Sequence, residues 1–166
     1  MKQQIEHNIP IAHDRFWNDL FFDADYVQSE HIKGLSCIEF QILEEYSGPP
    51  RHTRTIFSIQ PLNIPANIQK IVGNRLGYTE KGVFYPEKGE YHFTLTPNVL
   101  AQKISMNGFY RIEPVDEHTT KRICVLECSV SIFGIGKKIE EVITQSNKQI
   151  QQKTADFATL WIKENR

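Results

Sequence analysis

Residues 136–164 read GKKIEEVITQSNKQIQQKTADFATLWIKE, and this stretch decides the fold. Ile139, Val142, Ile143, Ile150, Phe157 and Trp161 recur at multiples near 3.6, with Lys, Glu and Gln between them, which is the signature of an amphipathic helix. At 1.5 Å per residue the helix is roughly 40 Å long. A helix of this kind draws its stability in water from laying its apolar stripe on a partner. The only partner the rest of the chain offers is a sheet. Working back, Thr120–Ile132, Lys103–Glu113, Tyr91–Val99, Tyr78–Tyr85, Thr53–Gln60 and a segment around Ile38–Ile42 read as strands, separated by short turns at 47–50, 86–89, 97–100 and 114–118. Short links of that kind imply consecutive antiparallel pairing.

Residues 3–11 alternate Ile5, His7, Ile9 and Ile11 against polar neighbours and form a first strand with one buried face. From Ala12 to Lys33 the period lengthens. Phe16, Trp17, Leu20 and Phe21 make one stripe and Tyr26, Val27 and Ile32 another, so the spacing predicts two short helices broken near Phe22–Asp25 and closed by Gly34 as a C-terminal glycine. Pro61–Gly77 holds two prolines and weak periodicity; it is a long connection with a helical turn near Asn67–Val72, and a candidate lid. Gln145–Gln152 reads as a solvated helix face. The expected fold is α+β: a curved seven-stranded antiparallel sheet, two short helices after strand one, and a long C-terminal helix across the concave face.

In that order of elements, HNIPIAHDRFWNDLF (7–21), DADYVQSEH (23–31) and VLECSVSIFGIGKKIEEVI (125–143) resemble the START-like (SRPBCC, helix-grip) superfamily, and within it a bacterial branch of unknown function. The resemblance spans residues 3–164 and rests on element order rather than on a catalytic signature. It implies one START-like domain with a cavity between sheet and long helix that accepts a hydrophobic or amphipathic, lipid-like small molecule. It also permits a polyketide cyclase or dehydratase, or a cochaperone-like or toxin-like interaction module of the same fold.

Composition narrows the class. The AVILMFWYC share is 40% and the charged share 23%, as in ordinary globular proteins. No apolar run approaches the 20 or so residues of a membrane span, and the amino-terminal stretch lacks the build of a secretory signal, so the expected location is cytoplasmic. Residues 1–50 carry three basic against nine acidic residues, a charge of −6, and the remainder is +5. No basic stripe of the kind nucleic acid demands stands out. Cys37, Cys124 and Cys128 are expected as reduced thiols. The six histidines never fall in an i, i+3 or i, i+4 pair, and Cys124 and Cys128 lie about 13 Å apart in an extended strand, so neither a metal nor a cofactor is expected. Gly134-Ile135-Gly136 has Ile139 where a phosphate cradle needs its third glycine, and Gly34–Ile38 lacks the closing glycine of a nucleophile elbow.

Strand phase then selects the candidate ligand-binding residues. His7 shares the buried face of strand one, and Phe40 lies on the second strand. Thr55, Phe57 and Ile59 give an inward phase on the third strand, Phe93 one on the fifth, Met106 and Tyr110 on the sixth, Leu126 and Cys128 on the last. The long helix adds Ile143, Ser146, Ile150 and Phe157, where small polar residues on a buried stripe leave room. His7 and Tyr110 are the expected anchors for a polar head. Gly108, in mid-strand, signals a close approach by a ligand or a backbone. No catalytic residue is assigned, and the expected activity is binding rather than catalysis.

Overall fold

The computed structural model describes residues 1–61, 64–73 and 75–165; residues 62, 63 and 74, part of the expected lid, lie outside them. The strands are β1 (Lys2–Ile9), β2 (Glu39–Gly48), β3 (Arg51–Ile59), β4 (Gly77–Tyr85), β5 (Glu90–Pro97), β6 (Ile104–Asp116) and β7 (Thr119–Val130). Three helices join them: α1 (Ala24–Ser29), α2 (Ala66–Val72) and α3 (Gly136–Glu164). The sheet has seven strands in the order β1-β7-β6-β5-β4-β3-β2, every pair antiparallel. β2 to β7 form a continuous meander, and β1 returns to the free side of β7, with His7 opposite Arg122.

The region between β1 and β2 is more broken than two helices. A 3-10 turn at His13–Arg15 and a wide π-type turn at Trp17–Phe21 precede α1, whose N-terminus is capped by Asp23 accepting from the Tyr26 N–H at 2.7 Å. A second π-type turn, Glu30–Gly34, follows. Gly34 is not the left-handed cap the sequence predicts; Ser36 takes that conformation with φ 54°. Gly34 is needed for another reason: a Cβ there would lie 2.8 Å from Cγ of Phe157, so its bareness lets α3 close on this turn.

Gly108 also marks a close approach, and the approaching group is backbone. A Cβ at Gly108 would sit 2.1 Å from the Val125 carbonyl oxygen. α3 lies over β1 and β7 and leaves the inner face of β3–β6 less covered. Ile9, Ile11, Phe16, Leu20, Val27, Ala155, Ala158 and Ile162 fill the core at one end, while Ile68 and Val72 of α2 pack with Ile139 at the other. The site lies between these two ends.

Candidate functional site

A cavity of about 140 Å³ lies between α3 and the inner face of β3–β6. An apolar cavity of about 150 Å³ is large enough to hold benzene, so the space suits a group the size of one aromatic ring. Two smaller compartments adjoin it across shared walls. One, about 20 Å³, runs under α2 past Tyr78, Met106, Ile143 and Ser146; the other, about 50 Å³, lies behind Phe21, Arg54 and Tyr110. The free volume is thus drawn out along the helix. Its apolar wall comes from Ile56, Phe93, Leu95, Met106, Leu126, Ile143 and Ile150.

The remaining wall is polar, and each polar group is set by its strand. Gly82 on β4 is bare because Tyr91 of the paired β5 crosses over it: a Cβ at Gly82 would lie 1.7 Å from the Tyr91 hydroxyl oxygen. Tyr91 thereby donates to Glu80 Oε1 at 2.8 Å. Burial, and then the Glu80 charge, push the Tyr91 hydroxyl well above the ordinary tyrosine range. Arg54, 6% exposed on the neighbouring β3, lies within 5.6 Å of the Phe21, Phe22 and Tyr91 ring centroids and donates from Nη1 to the Phe21 carbonyl at 3.2 Å. Burial pulls its pKa down, but Tyr91 and Glu80 outweigh that and the net shift is upward, so Arg54 is a fixed cation in the wall.

From the other side, Gln151 on α3, 3% exposed, donates from Nε2 to the Tyr110 hydroxyl at 2.7 Å. Arg122 Nη2 donates to the Gln151 carbonyl at 3.0 Å and to Thr154 Oγ1 at 2.9 Å. Desolvation against the apolar wall raises the Tyr110 pKa well above its ordinary value, so this phenol keeps its proton and can donate it in a hydrogen bond. Two buried polar atoms of this wall, Arg54 Nε and Gln151 Oε1, have no hydrogen-bond partner among the described residues; Arg122 Nε in the compartment behind, and Arg111 Nε away from the cavity, are bare as well. Leaving such atoms bare costs about 1–3 kcal/mol each. The wall therefore holds unspent capacity for one donated bond and one accepted bond.

Of the sequence-selected residues, the structure gathers Phe93, Met106, Tyr110, Leu126, Ile143, Ser146 and Ile150 around the cavity. The other five are elsewhere. His7 faces the helix, as its phase predicts, but β1 is the edge strand directly beneath α3, and its Nε2 meets Gln152 Oε1 at 3.2 Å on the molecule's flank. Burial and the nearby Arg122 lower its pKa. Phe57 is out of phase: Arg54, Ile56 and Ser58 point inward on β3 and Phe57 packs on the other face near Gly77. Phe40 stacks on His31 at 4.0 Å in the core beside α1. Phe157 packs with Tyr26, Trp161 and the Gly34 backbone. Cys128 is buried with Met106 and Leu126 at the end of β7 outside the cavity lining.

Sequence reasoning missed Arg54, Glu80 and Gln151. The apolar phase of β3 predicts Thr55, Phe57 and Ile59 inward and the register of 145–152 predicts a solvated Gln151, whereas Arg54, Ile56 and Ser58 face inward and Gln151 is buried. A usable signal was present: Glu80 and Gly82 alternate with Tyr78 and Phe84 along β4, and a carboxylate in an otherwise aromatic phase needs a buried partner.

The family described as "Protein of unknown function (DUF2505)" matches residues 4–162. This chain belongs to the DUF2505 family. No curated protein matches it. Solved structures similar to this DUF2505 chain include the Zhui aromatase/cyclase from Streptomyces sp. R1128, with 13% identity, coverage of 96% of this chain and 92% of that one, and a TM-score of 0.67. A START superfamily protein from Mycobacterium smegmatis aligns over 99% of both chains at 10% identity and a TM-score of 0.61. Norcoclaurine synthase from Thalictrum flavum, solved with dopamine and hydroxybenzaldehyde, covers 100% of this chain and 89% of its own at 13% identity and a TM-score of 0.67. At these identities the likeness establishes the fold, which is START-like.

Proposed function

We propose that this DUF2505 protein binds a hydrophobic or amphipathic small molecule between the sheet and α3. The observation that carries the reading is a cavity of about 140 Å³ whose apolar wall faces a buried polar wall with atoms left unpartnered. Arg54 Nε and Gln151 Oε1 border the cavity without a partner among the described residues, and a ligand's polar group would recover the free energy that each bare buried atom costs. The ligand's apolar body would lie against Phe93, Met106, Leu126 and Ile143. Its polar group would meet Tyr110, Gln151 and Arg54; this role replaces the one expected of His7.

The neighbours' names supply a second reading, an enzyme of the cyclase kind, and one observation favours it: Glu80 and the protonated Tyr110 both border the same space. A carboxylate acceptor and a phenol donor on one ligand could move a proton. Native mass spectrometry of freshly purified protein, followed by solvent extraction, tests the binding reading. A reproducible excess mass that extracts as a small apolar molecule is the expected result. A bare mass, together with no thermal shift across a panel of monocyclic and bicyclic aromatics and short-chain lipids, would overturn it. Chemical change of the extracted molecule on incubation with fresh protein would move the assignment to the enzyme.

A further inference from the structure

The three links at the cavity's α2 end, residues 60–76, 98–103 and 131–138, carry Lys70, Arg75, Lys103, Lys137 and Lys138 and no acidic residue. The antiparallel topology brings the described residues of all three to one end of the sheet, where Ile68, Val72, Leu100, Ile132, Ile135 and Ile139 pack together. Lys70, Lys103, Lys137 and Lys138 are exposed and form no ion pair among the described residues. The carboxylates nearest this end are largely engaged: Glu39 with Arg75, Glu127 with Lys2, and Glu140 with the Val130 N–H; Glu141 lies just beyond, on α3. On the tip of the β7–α3 link stands Phe133, fully exposed, next to Gly134 at φ 76° with open space around it. Ile71 on α2 is a second exposed apolar side chain, at 42%.

The opposite end, where the β6–β7 turn meets residues 12–25, is acidic, with Asp14, Asp19, Asp23, Asp25, Asp116 and Glu117, and only Asp19 among these is paired with Arg15. A nearly neutral chain is thus a charge dipole with an apolar knob on its positive pole. Such a dipole turns that pole toward an anionic surface before contact. We propose that this end docks on an anionic lipid bilayer, with Phe133 and Ile71 entering the acyl boundary and the four lysines resting among phosphate-bearing headgroups. A second copy is the wrong occupant, because apposing two such ends sets lysines against lysines. A single knob ringed by cations needs no shaped counterpart, which a fluid bilayer suits. The compartment under α2 lies at the same end, lined by Ile68, Val72 and Ile139, so docking would bring the cavity's extension close to the membrane.

Sedimentation with vesicles decides it. The intact protein is expected to co-sediment with equimolar phosphatidylserine and phosphatidylcholine, weakly with phosphatidylcholine alone, and to be released at high ionic strength. Removing Lys137 and Lys138 together, as Lys137→Ser with Lys138→Ser, should lower the partition coefficient about fivefold for each lysine. Phe133→Ser should lower it about tenfold. These side chains are exposed, so the fold survives the changes. Equal sedimentation with both vesicle types, or a Phe133→Ser variant that binds as well as the parent, would overturn the proposal. Capture on poly-glutamate beads without vesicle binding would overturn it in favour of an acidic protein partner.

Discussion

Replacing Tyr110 by Phe removes one oxygen from the polar wall of the site. The lost atom accepts from Gln151 Nε2 at 2.7 Å, and among the described residues the amide's only other side-chain partner is Asn147 Oδ1 at a long 3.4 Å. Gln151 Oε1 is already unpartnered, so in the variant most of a buried amide would go unsatisfied. The cost of such a loss is about 2 kcal/mol, which for a chain of this size lowers Tm by about 4–8 °C. Urea denaturation followed by fluorescence measures it as a shift in midpoint at constant slope. Gln151→Leu in the Tyr110→Phe background should restore about half or more of the loss, because replacing both partners by apolar groups leaves nothing unpaired. If the midpoint of Tyr110→Phe matches that of the parent, the buried pair does not stabilise the wall. If the second change destabilises further by its full single-variant cost, the two groups are uncoupled and the argument fails.

Ser146→Leu should fill part of the cavity, leave the midpoint within about 1 kcal/mol of the parent, and abolish the excess mass carried by a bound ligand; retention of that mass would place the ligand elsewhere. Gly82→Ala has to displace Tyr91 from Glu80, and a loss of about 3 kcal/mol is expected, read by the same denaturation curves. Burial raises the Cys124 thiol from the ordinary 9.0 to about 11. Between those values the unfolded chain gives up a proton that the folded chain keeps, so stability should fall by about 1.4 kcal/mol per pH unit from this group as pH rises from 9 to 11. Buried Tyr91 and Tyr110 act in the same direction at higher pH, and a flat profile across that range would contradict the burial of all three.

Architecture was legible in the sequence because it depends on period. The period from Ile139 to Trp161 gives the long helix and the alternation of Tyr91–Phe93–Leu95 and Ile104–Met106–Gly108–Tyr110 gives the strands, but the buried face of the helix's second half runs through Gln151, Thr154, Ala155, Ala158 and Ile162 rather than through Ile150, Phe157 and Trp161. The site was half legible. Where a strand's inward phase is apolar, as on β6, the lining residues came out of the pattern. On β3 the inward phase is Arg54, Ile56, Ser58, and the rule that buried means apolar chose the wrong face. The same rule placed Gln151 in solvent. The error is physical in origin: a binding wall breaks the pattern of a core because its polar atoms wait for a partner outside the chain. His7 failed differently. Its phase was read correctly, but only three-dimensional strand order shows that the space beneath α3 at β1 is already closed.

The return of β1 to β7 has a consequence for how this molecule assembles. β2 to β7 are joined by local hairpins, whereas the contacts that fasten β1 are far apart in sequence: the bond from Gln3 Nε2 to the Thr144 carbonyl spans 141 positions. Closing so long a loop is entropically slow, and such pairings delay folding. The meander can therefore form early as an open, one-sided layer, its inner aromatic face still wet. β1 then joins last, and the seam that ties it to β7 and α3 closes only at that moment. A small apolar molecule present during assembly would meet that face before the seam closes.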